Sequence, residues 1–341
     1  RDLTWEKMYE LNVGAELGLF DNRISTTLDI YQRNTFDLID LVRTSGVGGQ
    51  YYKYANFGDM RTRGIELGIH TKNIVTEDFK WSTSLTVSAM DQKITRLLNS
   101  PNAFDMVAGR GRGNIVDYPR GSLFSFNFQG LNNQGLPTFD FGRYPSNQSE
   151  LSKIAGADFL DAQYAKSYLI YHGPIEPRVI GGLSNTLKYK NWELSFFLTV
   201  QAGNKIRLNP TFDPEFADLN IFSKSYYNRW LNPGDEYKTD VPVLPSQELI
   251  AAVGKENIER AYNTYDYSQQ RVADGSFVRM KNISLAYTVP ESFLKKIRLH
   301  SMNLNLNLTN PFLIYSDKKL KGQRCHEGKD RHVAKDGRSE L

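Results

Sequence analysis

The sequence predicts an all-β fold, namely a partial antiparallel wall of a transmembrane β-barrel with long extracellular loops and short periplasmic turns. Three observations support this prediction. Apolar and polar residues alternate with a period of two. The alternating segments reach the roughly nine to eleven residues with which a strand crosses a bilayer. The connections between them are alternately short and long, as in outer-membrane barrels.

The first two alternating segments form a predicted hairpin, with residues 10–20 as one strand and residues 24–31 as the other. Asp and Asn in the turn at 21–23 tolerate turn backbone angles. Successive side chains of a strand point to opposite faces, and a charge facing lipid is costly. We therefore expect an outward apolar face: Leu11, Val13, Leu17, Leu28, Ile30, Leu67, Ile69, Leu85 and Val87. The inward polar face contains Glu10, Asn12, Glu16, Asp29 and Glu66.

The same pattern predicts strands along the rest of the chain. Residues 65–70 and 79–89 alternate in the same way on either side of a polar turn at 72–78. Further strands are predicted at 123–129, 179–189, 192–206, 277–289 and 299–309. Residues 151–168 and 247–262 could form short helices within loops.

Connection lengths predict how the strands are arranged. The connections at 21–23, 72–78 and 190–191 are short. Those at 37–56, 97–120 and 207–273 are long and rich in Gly, Pro and Tyr. We expect the long connections at one end of the sheet and the short turns at the other.

Composition and charge exclude several other classes of protein. Charged residues make up 23% and aromatic residues 12% of the chain, and no apolar run approaches the length of a membrane helix. Residues 317–341 hold eight Lys/Arg against five Asp/Glu, which leaves 34 against 33 in the other 316 residues. Such a balance provides no basic field for nucleic acid. The single cysteine, Cys325, cannot form an internal disulfide.

The ends of the chain predict a piece of a longer protein. The chain begins at Arg1 without an export signal, so we expect an N-terminal part to be missing. The alternation stops after Gln323, which divides the chain into a barrel portion, 1–316, and a polar basic tail, 317–341. A shifted reading frame or an early truncation would explain this tail. The chain alone is then expected to be an incomplete, non-functional fragment.

Candidate site residues are few. No Ser/His/Asp or paired-carboxylate arrangement has catalytic spacing, so no catalytic site and no enzyme activity are predicted. The glycine-rich stretch 109–113 lacks a phosphate-binding context. Cys325, His326 and His332 are too few for a zinc site, so neither metal nor cofactor is predicted. The longest loop contains Tyr226, Tyr227 and Trp230, which we take as candidate contacts for substrate or a lid protein, with loop packing as the alternative.

Several blocks resemble a known family. LTWEK at 3–7, DNRIS at 21–25, NFGDM at 56–60 and RGIEL at 63–67 resemble the late barrel region of TonB-dependent receptors. Three further blocks are similar to the SusC-like (SusC/RagA) subfamily of glycan and peptide importers of Bacteroidetes. They are PRVIGGLSN at 177–185, RWLNPGDE at 229–236 and DGSFVRMKN at 274–282. The resemblance covers residues 1–323 in consistent order.

The resemblance implies an outer-membrane importer with a plugged barrel of about 22 strands. Its implied partners are a SusD-like surface lipoprotein as a lid, the TonB complex reached through an upstream plug, outer-membrane lipid, and an oligosaccharide or peptide substrate. The alternative is a soluble extracellular β-sandwich that binds glycans. Purification distinguishes the two, because a sandwich stays in the aqueous fraction whereas barrel strands require detergent.

Overall fold

A computed structural model describes residues 3–43, 49, 52–98, 101, 103–108, 114–142, 162–211 and 224–320. Its main feature is one continuous sheet of eight antiparallel strands. In sheet order these strands are β1 (Lys7–Leu19), β2 (Ile24–Arg43), β3 (Tyr52–Val75), β4 (Phe79–Leu97), β8 (Val179–Tyr189), β9 (Trp192–Ala202), β12 (Phe277–Thr288) and β13 (Asn303–Ser316). All eight strands pair in one continuous series, which agrees with the predicted barrel wall.

The turns follow from local sequence. Between β1 and β2 the backbone is left-handed at three consecutive residues, Phe20, Asp21 and Asn22. Asp and Asn adopt this conformation more readily than other non-glycine residues. β8 and β9 are joined by Lys190 and Asn191 alone, with Tyr189 paired to Trp192. These two hairpins agree with the predicted short turns.

Strand ends differ from prediction at several places: the strand predicted at 192–206 ends at Ala202, and the one predicted at 299–309 runs from Asn303 to Ser316. The sequence predicted a long loop at 37–56, which is wrong because β2 continues to Arg43 and β3 already begins at Tyr52. β2 passes a bulge at Asp37, where φ is +56° and the backbone N–H donates to Asp59 Oδ1 at 3.1 Å. The predicted turn at 72–78 likewise shrinks to 76–78, since β3 runs on to Val75.

The connections lie as predicted. The turns at 20–23, 76–78 and 190–191 and the segment 289–302 are at one end of the sheet. The latter contains α5 (Glu291–Leu294). The connections 44–51, 98–178 and 203–276 are at the other end. The connections predicted around 97–120 and 207–273 and the turns predicted as short lie at opposite ends, although 289–302, on the side of the short turns, is longer than 44–51.

The two longest connections fold together into a loop module. It contains strands β5 (Ser122–Leu131), β6 (Pro137–Asp140), β7 (Leu169–Pro174), β10 (Lys205–Arg207) and β11 (Val272–Asp274). Its helices are α1 (Ala103–Ala108), α2 (Ala162–Tyr168), α3 (Gln247–Val253) and α4 (Lys255–Asp266). The helix predicted within 247–262 is confirmed as α3 and α4, whereas residues 151–161 lie outside the described residues.

The loop module has its own hydrophobic core. Phe126 from the first connection and Tyr262 from the second are both fully buried in it. Phe126 meets Phe141 edge to face with ring centroids 5.9 Å apart, and Phe128 meets Tyr265 at 5.6 Å in the same way. Edge-to-face aromatic pairs add to the stabilisation from burial.

The C-terminal division of the chain stays a prediction. β13 ends at Ser316, and a single 3-10 turn, Lys318–Leu320, follows it. Asp317 holds this turn to the loop module by accepting a hydrogen bond from the Asp274 backbone N–H at 2.8 Å. Residues 321–341, including Cys325, His326 and His332, lie outside the described residues.

Candidate functional site: the polar concave face and the loop module

One face of the eight-stranded sheet is concave and polar. A depression of about 540 Å³ crosses six neighbouring strands, from β2 to β12. Its lining is polar, and in a barrel wall the polar face is the inner one. Its polar lining side chains are Thr27, Asp29, Glu66, Thr86, Ser88, Thr199, Gln201, Arg279 and Lys281.

Charges are unevenly distributed on this face. Asp29 and Glu66 are directly paired across β2 and β3, so two carboxylates lie side by side. Arg279 lies at the far side of the depression, on β12, and its guanidinium stands 5.1 Å from the centroid of the Phe277 ring. Like charges in a direct cross-strand pair repel each other. Water and salt in the depression screen this repulsion.

The opposite face is apolar at the same level. Val13, Ile30 and Ile65 are paired in one row across β1, β2 and β3. The row continues through Ala89, Val179 and Ala202. Residues 28 and 67 form the next pair on this face, and 69 and 85 another. The alternation predicted for Leu28, Leu67, Ile69 and Leu85 on one face, with Asp29 and Glu66 on the other, is present.

A glycine allows a large side chain to lie flat on the concave face. Tyr31 on β2 covers Gly64 on β3, its paired residue. A Cβ placed on Gly64 would come within 2.3 Å of Tyr31 Cζ, closer than side chains tolerate. Tyr31 is consequently buried although it faces the inside of an open wall.

Arg207 joins the two long connections inside the loop module. Its buried guanidinium donates to the carbonyls of Phe124 at 2.6 Å and Val107 at 3.1 Å, and it lies 5.1 Å from the Tyr267 ring centroid. Burial lowers the pKa of Arg207 to about 10, so it stays charged at neutral pH. One cation thereby joins α1, β5 and the segment that follows α4.

The three aromatic residues predicted as contacts have different surroundings. Tyr226 is buried, and this burial raises the pKa of its phenol. Trp230 is also buried, packs over Gly135, and donates from Nε1 to Glu236 at 2.9 Å. Tyr227 is 86% exposed. Only Tyr227 of the three presents its ring to solvent, and its role as a contact stays a prediction.

Other exposed apolar residues lie near Tyr227 in the sequence. Tyr237 is 90% exposed and Leu231 57% exposed. Neither residue was predicted as a contact, although the Pro233–Gly234 turn between them indicates a projecting segment. The polar residues of the concave face were also only partly identified, because their grouping depends on strand register.

The described part of the chain contains neither a metal site nor a membrane-spanning helix. Within those ranges, no three His, Cys, Asp or Glu side chains gather closely enough to hold a metal ion. No described helix is long and apolar enough to cross a membrane. The stretch 109–113 lies outside the described residues.

Comparison with known proteins places this architecture in a family. The model of the family "TonB dependent receptor-like, beta-barrel" matches residues 1–310. TonB-dependent receptor P3 of Formosa agariphila is 28% identical over 335 residues, which cover 93% of this chain and 30% of that protein. TonB-dependent receptor SusC of Bacteroides thetaiotaomicron is 28% identical over 214 residues, covering 60% of this chain and 20% of SusC. The chain spans about a third or less of the curated relatives it matches.

A solved structure has the same fold. The structure of the RagAB peptide transporter superposes with a TM-score of 0.67 at 21% sequence identity. The match covers 92% of this chain and 32% of that one. At this identity the likeness establishes the architecture of the wall.

Proposed function

The chain belongs to the TonB dependent receptor-like, beta-barrel family, and from this premise we propose that it forms part of the wall of an outer-membrane importer of oligosaccharides or peptides. It performs no chemistry itself. The contrast between the two faces of the sheet is the observation that supports this proposal. Asp29 and Glu66 face the concavity, while the paired row through Ile30 and Ile65 faces the other way. In a bilayer, that arrangement suits only a wall with lipid outside and water inside.

The chemistry of the concave face favours a neutral, hydrogen-bonding solute. Its hydroxyl and amide groups come from Thr27, Thr86, Ser88, Thr199 and Gln201. Both carboxylates and cations are present, so neither sign of charge is selected. Sugar hydroxyls and peptide backbones are solutes of this kind, and RagAB is by its name a peptide transporter.

The proposed partners follow from the placement of the long connections. A SusD-like surface lipoprotein would cover the end that carries the loop module, with Tyr227, Leu231 and Tyr237 among its contacts. The TonB complex would act through a plug in another part of the protein. β1 and β13 are the two edges of the described sheet. Since unpaired strand edges are costly in lipid, we propose that these eight strands work within a larger barrel and that residues 1–341 alone form no stable pore.

Uptake by cells tests the proposal. Cells that produce the full-length protein are supplied with labelled oligosaccharides and peptides, with and without a functional TonB. We expect uptake that requires TonB and that falls in the variant Asp29→Asn/Glu66→Gln, because carboxylates accept stronger hydrogen bonds from hydroxyl and amide groups than side-chain amides do. The control variant Glu248→Gln/Glu256→Gln removes two carboxylates from the loop module helices. Recovery of the protein from the aqueous fraction without detergent would contradict the proposal.

A further inference from the structure

A group of cations lies on the outer face of the wall, directly above its apolar belt. Arg61 on β3 is paired with Lys93 on β4, and Arg63 is two residues further along β3. Arg178, just before β8, reaches the same place, with its guanidinium 3.9 Å from the Asp91 carboxylate. We refer to Arg61, Arg63, Lys93 and Arg178 as the cationic patch.

Strand alternation places the patch on the outside. Residues 61, 63 and 65 share a face of β3, and Ile65 belongs to the apolar row. Cα atoms two residues apart on one strand are separated by roughly 6.7 Å, and paired Cα atoms by about 5 Å. The first three cations are therefore within reach of a single anionic group.

The patch lies at the height of lipid headgroups. With a strand tilt of about 45°, the Cα atom of Arg63 stands roughly 5 Å beyond the last apolar row, within the headgroup zone. The Cα atom of Arg61 stands roughly 9 Å beyond that row, just above the zone, and its long side chain can reach down into it. The headgroup zone occupies about 5–7 Å of each leaflet. Tyr9 lies in the same row as Arg61 and touches Phe36 edge to face at 5.8 Å. Aromatic residues of this kind mark the boundary of the hydrocarbon region.

The patch keeps an excess of positive charge. Asp91 lies against Arg178, and Asp117 pairs with Lys93 at 2.8 Å. Arg63 donates from Nε to the Gln32 side-chain oxygen at 2.8 Å, an uncharged partner. Among the described residues, no carboxylate oxygen lies within 4.0 Å of Arg61 or Arg63. Four cations and two carboxylates leave a net charge of +2 on the patch.

We propose that the cationic patch binds the phosphate groups of a phosphorylated glycolipid in the outer leaflet. The patch is at the end of the wall that carries the long connections, which is the outer end in barrels of this type. An arginine guanidinium donates bidentate hydrogen bonds to phosphate. The apolar belt directly below the patch can contact acyl chains. A ligand with phosphate above and acyl chains below matches both features. This interaction surface is separate from the transport path on the concave face.

Native mass spectrometry of the detergent-purified full-length protein tests this inference. Phosphorylated lipid A is the probe, with dephosphorylated lipid A and inorganic phosphate as separate arms. We expect the variant Arg61→Gln/Arg63→Gln/Lys93→Gln to bind phosphorylated lipid A at least tenfold more weakly, since each basic residue near a membrane surface adds about fivefold to the affinity. The control Lys72→Gln/Lys80→Gln/Lys188→Gln removes three cations of the inner face near the opposite end and should bind like the parent.

Several outcomes would overturn the inference. They are equal binding of the dephosphorylated lipid, equal weakening in the control variant, and displacement of the lipid by inorganic phosphate alone at matched concentration. Unchanged lipid binding with altered subunit association would assign the patch to a protein contact instead. A folded barrel migrates as a compact species on a denaturing gel when the sample is not heated. If the triple variant lacks this compact migration, it is misfolded, and lipid binding is measured on Arg63→Gln alone, for which we expect a smaller loss of affinity.

Discussion

Asp59 and Arg96 are joined by two hydrogen bonds, of 2.6 and 3.1 Å, where β3 and β4 pair near the outer end of the wall. The same Asp59 carboxylate accepts from the backbone N–H of Asp37, the residue with left-handed backbone in the β2 bulge. One buried carboxylate thus connects three neighbouring strands. This contact lies beyond the alternating segments that the sequence predicted as strands.

Replacing Asp59 should loosen the bulge. In Asp59→Ala the Asp37 N–H loses its charged acceptor, a hydrogen bond of about 1.5 kcal/mol. We expect hydrogen exchange of the Asp37 amide to become roughly tenfold faster. Asp91→Ala, which removes an exposed carboxylate two strands away, is the control. Unchanged exchange in Asp59→Ala would show that the bulge holds without this contact.

Enlarging Gly64 should destabilise the wall. A Cβ there collides with the Tyr31 ring, and overpacking of this kind costs about 1–3 kcal/mol. We expect Gly64→Ala to lower the temperature at which the full-length protein loses its compact mobility on a gel. Gly181→Ala, where the nearest atom is 3.4 Å away, should have a smaller effect. The double variant Tyr31→Ala/Gly64→Ala should recover part of the loss, and no recovery would place the strain elsewhere.

Neighbouring positions on β4 should respond differently to arginine. Leu85 is in the outer apolar face, paired with Ile69 and Leu183, whereas Ser84 is beside His70 on the inner face. We expect Leu85→Arg to hinder membrane insertion by about 2–4 kcal/mol and Ser84→Arg to be tolerated. Folding of the full-length protein into liposomes measures both. Equal insertion of the two variants would contradict the assignment of faces.

Removing the buried cation of the loop module should open the module and leave the wall intact. In Arg207→Met the carbonyls of Phe124 and Val107 lose their donor, a loss of about 3 kcal/mol or more. We expect faster proteolysis within 98–178 and 203–276 and an unchanged gel mobility of the barrel. Arg229→Met, which removes a guanidinium bonded to the Tyr226 carbonyl, is the control. Simultaneous loss of module and barrel would show that they do not unfold separately.

The loop module should also lose stability in acid. Burial beside Arg207 and Lys205 lowers the pKa of His172 to about 4 from its ordinary 6.5. Below pH 6.5 His172 binds a proton in the unfolded chain but not in the folded module. The free energy of unfolding of the module is therefore highest above pH 6.5 and decreases as the pH falls towards 4. Proteolysis across this range should accelerate in the parent and less in His172→Phe. Equal acid sensitivity of the two would exclude His172 as the cause.

The sequence predicts the wall better than the loop module for a physical reason. Alternation records which face each residue of a strand occupies, and two polar turn residues end the strand at Tyr189, so Val179–Tyr189 is predicted with its observed ends. Asp37 and Asp59 are far apart in sequence, and no local sequence pattern predicts their contact. Tyr226, Tyr227 and Trp230 are aromatic residues of the same loop, so sequence alone does not tell a buried ring from an exposed one. The packing against Gly135 and the module core, which decides this, depends on the tertiary structure.

The shared core of the two longest connections also limits how relatives can exchange parts. Phe126 and Tyr262 belong to different connections, and neither has a complete set of neighbours without the other. A chimaera that receives only one connection from a relative has a hydrophobic core whose two halves do not match. A chimaera that receives both connections keeps the complete core. Evolution of specificity at this end of the barrel should therefore proceed by joint replacement of 98–178 and 203–276.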